Sequence, residues 1–240
     1  MKKSYNERLF NSGIRRWIHL ARFEWLNKKC QVYSPSYEMV IELGCYDGRA
    51  IQYLPVMPKS YIGFDANWEG GVEMACKNDM YKRYIFRKCC SADEMLVDEG
   101  CDASLVISLE TLEHVPGNLL IGYLQRISKV LNGYFIVTVP NEMGLVFLLK
   151  YLAKVMILDG GLLRGKAREY ALAEIYYATI CKMDMVERNE HKGFDWRKLQ
   201  CDFKKYFDIL EVEGVQFPLL PLWMNTQIGF VMRSKHYSEL

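Results

Sequence analysis

Apolar positions along the chain change period several times, and the changes predict alternating helices and strands. Over residues 6–29, Phe10, Ile14, Trp17, Ala21 and Trp25 recur every three or four residues, the spacing of one helical face. After Ser34-Pro35 the pattern shifts to short apolar runs closed by polar or glycine-bearing stretches. Residues 39–43 (MVIEL) predict a buried strand, then a turn over 44–48, then a helix opened by 49–54 and stopped by Pro55 and Pro58. Residues 61–65 predict a second strand, 72–84 a helix, 84–87 a short third strand and 101–109 a fourth. Leu120, Leu124, Ile127 and Leu131 mark one face of a helix over 119–131, and 134–139 predict the fifth strand. Strands alternating with helices in this order predict a doubly wound α/β sheet.

Beyond Asn141 the pattern leaves the minimal sheet. Residues 145–158 are apolar apart from Lys150 and Lys154, and are too short to span a bilayer. They suit a helix lying on a membrane or roofing a pocket with its lysine stems snorkelling, or equally a helix packed on the sheet. Gly160, Gly161 and Gly165 punctuate the next link, 166–182 predict a helix, and the polar stretch 187–195 predicts a loop holding His191. A last helix over 196–206 precedes two strands, 207–215 and 226–233.

Composition narrows this picture modestly. In 240 residues the chain can hold one α/β domain with an insertion. A net charge of +2 does not by itself point to nucleic acid. The eight cysteines include no C-x-x-C pair, and several sit in apolar runs, as expected of reduced thiols in a cytoplasmic protein. The N-terminus is charged and lacks the apolar core of a secretory leader. The first thirty residues carry Lys2, Lys3, Arg8, Arg15, Arg16, Arg22, Lys28 and Lys29 against Glu7 and Glu24. Such a basic helix can lie on an anionic membrane or cover a pocket, but a helix packed on the domain with a solvated basic face is the expectation.

Candidate chemistry concentrates at strand ends. The first strand carries Glu42 near its end and runs into Gly44 and Gly48, so a tight turn lets backbone approach a ligand. The spacing is not the dinucleotide fingerprint, because Tyr46 and Arg49 stand where the second and third glycines belong. Asp65 ends the second strand, 17 residues past Gly48, where a carboxylate can accept from a ribose diol.

The order acid-x-Gly-x-x-x-Gly, Asp65, Ser91-Ala92 and Glu110-x-x-Glu113-His114 resembles class I S-adenosylmethionine (SAM) dependent methyltransferases over residues 37–140. The resemblance implies a Rossmann-like sheet of five parallel strands closed by a C-terminal antiparallel pair, with an inserted helical lid over about 143–197. It divides the chain into a basic helix, 1–36, and a SAM-binding domain, 37–240. It implies SAM as cofactor and S-adenosylhomocysteine (SAH) as product. Glu42, Gly44, Cys45, Tyr46 and Gly48 then face the methionine end, Asp65 and Ala66 the ribose, and Ser91, Ala92, Ser108, Leu109 and Glu110 the rest of the cofactor. The family usually has glycine where Tyr46 stands, and more often aspartate where Ser91 stands.

A hydroxyl acceptor needs a general base, and of four histidines His114 and His191 fall at the strand-end edge, whereas His19 and His236 do not. Glu110, Glu113 and His114 are also similar to the divalent-ion site of small-RNA 3′-terminal 2′-O-methyltransferases and some quinone-ring O-methyltransferases, with His191 able to complete an N/O set. The sequence leaves a cation open without favouring it, and no basic track with interleaved aromatics favours nucleic acid. The loop around His191 and the apolar run from Leu145 look similar to methyltransferases of bacterial surface-glycan pathways. The expected activity is therefore O-methylation of a sugar or lipid-linked acceptor, with peripheral contact at the inner face of a membrane. Two alternatives remain: a metal-dependent RNA 3′-terminal methyltransferase, and a non-catalytic methyltransferase-fold partner subunit.

Overall fold

The computed structural model describes residues 13–95, 97, 102–158, 169–189 and 191–235, with the side chains of 14, 15, 157 and 158 left aside. Helix α1 (Gly13–Tyr33) leads into β1 (Met39–Leu43), β2 (Ser60–Asp65), α2 (Gly71–Lys77), β3 (Ile85–Lys88) and β4 (Ala103–Leu109). Then follow α3 (Gly117–Val130), β5 (Leu131–Pro140), α4 (Gly144–Leu158), α5 (Leu172–Thr179), α6 (Trp196–Tyr206), β6 (Phe207–Gly214) and β7 (Gln227–Ser234).

The strands form one sheet in the order β3-β2-β1-β4-β5-β7-β6. β1 to β5 run parallel, while β7 is antiparallel to both β5 and β6. This is the five-plus-two sheet expected from the sequence. Strand order reverses between β1 and β4, and such a switch point opens a crevice beyond the strand ends.

Both faces of the sheet are covered at its centre, so its central strands are apolar on both sides. Ile41, Leu43 and Val106 join α3 and α6 residues such as Leu124, Ile127 and Phe203 in one core. The alternate positions Val40, Leu105 and Ile107 face the other core, which α1 supplies with Ala21, Phe23, Trp25, Leu26 and Cys30. Trp25 packs so closely on Gly229 of β7 that a Cβ there would sit 2.3 Å from its ring. The N-terminal helix is thus built into the core. Its Trp17 is about half exposed, while Phe10 and the Ile14 side chain lie outside the described residues.

Several predicted elements are shorter than their patterns suggested. Residues 49–53 form only a 3-10 turn, since Pro55 disfavours helical geometry at Leu54, which is extended. The helix expected over 72–84 stops at Lys77 because the Asn78 side chain accepts from the Met80 amide and starts a separate turn, Asp79–Tyr81. The helix expected over 166–182 is seen only as α5, part of its span falling outside the described residues. The insertion has its own small core of Met143, Phe147, Tyr170, Ala178, Met183 and Val186. Seven described cysteines are free thiols, and Cys101 lies outside the described residues. No described helix is long and apolar enough to cross a membrane.

Candidate active site

The β1 exit is shaped by what its residues cannot avoid. Gly44 takes φ +81°, and a Cβ there would fall 1.9 Å from Oγ1 of Thr111, so only glycine fits between the turn and the β4 exit. Tyr46 adopts φ 46°, the left-handed conformation a glycine would take freely, at a cost of roughly 1–2 kcal/mol. Two features accommodate it. Its amide donates to Asp65 Oδ2 at 3.1 Å, and its ring lies over Gly71, where a Cβ would meet Cδ2 at 2.5 Å.

Asp65 also accepts at Oδ1 from the amides of Asn67 (2.7 Å) and Trp68 (3.2 Å), so one carboxylate ties the β1 turn to the β2 turn. With three of about four lone-pair sites used, one remains on Oδ2 for a ligand hydroxyl.

A small cleft, open to solvent, lies over this turn. Of the residues expected around a cofactor, Glu42, Gly44, Cys45, Tyr46 and Leu109 line it, joined by Arg22 and Phe23 of α1 and by Asp47, Arg49 and Ala50. Gly48 (φ +74°) caps the 3-10 turn below, and Asp65 touches the wall through the Tyr46 amide. Ala66, Ser91, Ala92, Ser108 and Glu110 stand at the ends of β2, β3 and β4 outside the lining. Ser108 Oγ is buried and has no hydrogen-bond partner among the described residues.

Glu42 is buried and accepts from the Tyr61 hydroxyl; burial pushes its carboxyl up to about 8, against the smaller downward pull of that bond. The folded state therefore keeps a proton that the unfolded chain releases near 4.5. The stability this confers is full below that value and is lost as pH rises through about 8. Urea unfolding should show stability falling by about 3–5 kcal/mol across this window, and Glu42→Gln should flatten the fall. A slope unchanged in the variant would assign it to other groups.

Beside the cleft, Leu109 is followed by Glu110 in a left-handed turn (φ 53°) and by a 3-10 turn over Leu112–His114. Glu110 and Glu113 therefore do not share a helix face. Burial raises the Glu110 carboxyl, although the Arg22 charge and a hydrogen bond to Gln227 oppose it. Burial first, and then the Glu110 charge, raise Glu113 further. Both carboxylate oxygens of Glu113 are buried without a hydrogen-bond partner among the described residues.

His114 Nε2 and His191 Nδ1 each lie 3.8 Å from Glu113 Oε1, and the two rings meet edge to face at 4.3 Å. Ligand atoms of Glu113, His114 and His191 all fall within 4.8 Å of one another. Loop 187–195 delivers His191. Arg188 donates to the Glu113 carbonyl oxygen and stacks on Phe194, while Lys192 pairs with Glu174 of α5 at 2.9 Å. Asp195 then caps α6 by accepting from the Arg197 amide. His19 belongs to α1, and His236 lies outside the described residues.

Sequence reasoning did not single out Arg22, Thr111, Arg188 or Gln227 as site residues. Only Arg22 carried a signal: a charge at the apolar face of α1, between Ala21 and Phe23 and one turn before Trp25 and Leu26.

No protein-family model matches the sequence, and no curated protein matches it. Solved structures do. A SAM-dependent methyltransferase from Clostridium acetobutylicum superposes with TM-score 0.59 at 12% identity, covering 95% of each chain. The plantazolicin methyltransferase BpumL, solved with SAH, gives 0.58 at 10% identity, over 96% of this chain and 88% of that one. The methyltransferase domain of bacterial CtHen1-CN gives 0.54 at 15% identity, over 90% and 99%. At these identities the likeness establishes architecture, and the chain has the Rossmann-like fold of class I methyltransferases.

Proposed function

We propose that this protein is a SAM-dependent O-methyltransferase whose acceptor hydroxyl is held and activated by a divalent cation at Glu113, His114 and His191. The observation that carries this reading is Glu113, a fully buried carboxylate with no hydrogen-bond partner among the described residues, facing two imidazoles. An uncompensated buried carboxylate is costly, and a cation with one oxygen and two nitrogen ligands relieves it. The charge of Glu110 beside them strengthens the field for a cation.

The cleft fits the cofactor on similar grounds. Gly44 leaves room where a Cβ would close the turn, and Glu42 and Arg22 offer opposite charges to a zwitterion. An ammonium docked at Glu42 would favour its ionised form. BpumL with SAH shows that this fold accepts that ligand family in a neighbour. Bound there, SAM supplies a methyl group already activated on sulfonium, and the cation supplies Lewis acidity that lowers the pKa of a hydroxyl. The protein's part is then placement. Asp65 and the glycine turn orient the donor, and His114 and His191 set where the acceptor oxygen can sit.

The acceptor we infer is a sugar diol on a lipid-linked or small glycan. Helix α4 turns Leu145, Leu149, Leu152 and Met156 outward at one-face spacing, and the loop it touches exposes Leu219, Leu220 and Trp223. An exposed apolar face of this kind suits a lipid-bearing substrate at a membrane surface. A second reading, methylation of an RNA 3′-terminal ribose, takes its support from the likeness to the small RNA methyltransferase HEN1 together with the acid-histidine cluster.

The test is transfer of labelled methyl from SAM to lipid-linked glycans and to short RNAs, each intact or pretreated with periodate to destroy vicinal diols. Chelator-sensitive labelling of intact glycan alone supports the first reading, and of intact RNA alone the second. Labelling that survives both chelator and periodate would sink the cation-and-diol account.

A further inference from the structure

Arg22 is an odd residue to find where it is. It belongs to the helix whose basic face was expected in solvent, yet it is 7% exposed and lines the cleft over the β1 turn. Its Nε is buried with no hydrogen-bond partner among the described residues, although its side chain lies against the neighbouring Phe23 ring at 4.9 Å. Glu42, Glu110 and Glu113 all feel its charge. None of them bonds that nitrogen, and Glu42 is already engaged by Tyr61.

A guanidinium taken from water and left short of acceptors is costly, unless something in the working protein completes it. Its planar fork of donors matches a carboxylate two bonds at a time. The cleft thus presents a carboxylate from β1 and a guanidinium from α1. An α-amino acid carries the complementary pair, an ammonium and a carboxylate on one carbon.

We propose that Arg22 binds the carboxylate of the methionyl end of the cofactor, making α1 a wall of the cofactor site and not merely a core helix. This rests on the SAM reading above and deepens it. It has a structural consequence too. A ligand that engages Arg22 ties α1 to the strand-end turn, whereas a ligand without the amino-acid end does not.

Two probes separate these cases: SAH, which has the carboxylate, and 5′-methylthioadenosine, which keeps the nucleoside and sulfur but lacks the amino-acid end. In calorimetric titrations Arg22→Met should weaken SAH about 100-fold and leave methylthioadenosine unchanged. Arg22→Lys, which keeps a buried charge and safeguards the test if the Met variant does not fold, should weaken SAH by a smaller factor, with methylthioadenosine again unchanged. In the wild type, SAH but not methylthioadenosine should slow amide hydrogen exchange in α1. Equal losses for both ligands, or none for SAH, would overturn the assignment and leave Arg22 as a charge balancing the nearby acids. A folded wild type that binds neither ligand would instead defeat the SAM reading itself.

Discussion

Glu113→Gln should abolish divalent-cation binding and lower methyl transfer at least about 100-fold, while SAH affinity stays unchanged. The substitution keeps the shape of a fully buried side chain and removes only its capacity for charge. Gln cannot supply the anionic ligand that two imidazoles at 3.8 Å leave for Glu113. Because the cleft is walled by Leu109 and the β1 turn, and not by Glu113, the cofactor should not sense the change. Manganese titration followed by calorimetry, alongside turnover with labelled SAM, reads both quantities. A variant that keeps chelator-sensitive turnover would move the cation elsewhere. One that loses SAH binding as well would mean the two sites are one.

Asp65→Ala should weaken SAH on the order of 100-fold and also destabilise the fold by about 1–3 kcal/mol. Two effects are expected because the carboxylate has two tasks. It accepts from the amides of Tyr46, Asn67 and Trp68, and losing a charged acceptor leaves those donors short. The Tyr46 bond matters most for function, since it holds a residue in a conformation that a side chain resists. Its remaining oxygen site is the one we assign to a ribose hydroxyl. Urea unfolding and calorimetry on the same preparation separate the tasks. Lost stability with intact SAH affinity would leave Asp65 as a brace between turns and nothing more.

The central strands were legible because they alternate between two cores. Val40 and Leu105 face one side, Ile41 and Val106 the other, so both sets had to be apolar and the runs stood out. Glu42, Gly44 and Asp65 were legible for a different reason, since turn chemistry is set by near neighbours in sequence. What failed was tertiary or depended on one side chain. Asn78 ends a helix that its apolar spacing would have continued. Thr111 explains Gly44 only once β1 and β4 are paired. The meeting of His191 with Glu113 depends on Arg188 and Lys192 pinning a loop distant in sequence, which no local period encodes. Arg22 stood among apolar neighbours on a basic helix, a weak signal, and packing shows that it lines the cleft.

The cofactor is tested most directly by titration calorimetry of SAH into the folded wild-type protein. A saturable isotherm with one site and a micromolar dissociation constant, roughly 8 kcal/mol of binding free energy, is the expected result. A protein that unfolds cooperatively on heating yet shows no binding to SAH or SAM, with or without manganese, would contradict it. The fold would then be a methyltransferase scaffold put to another use.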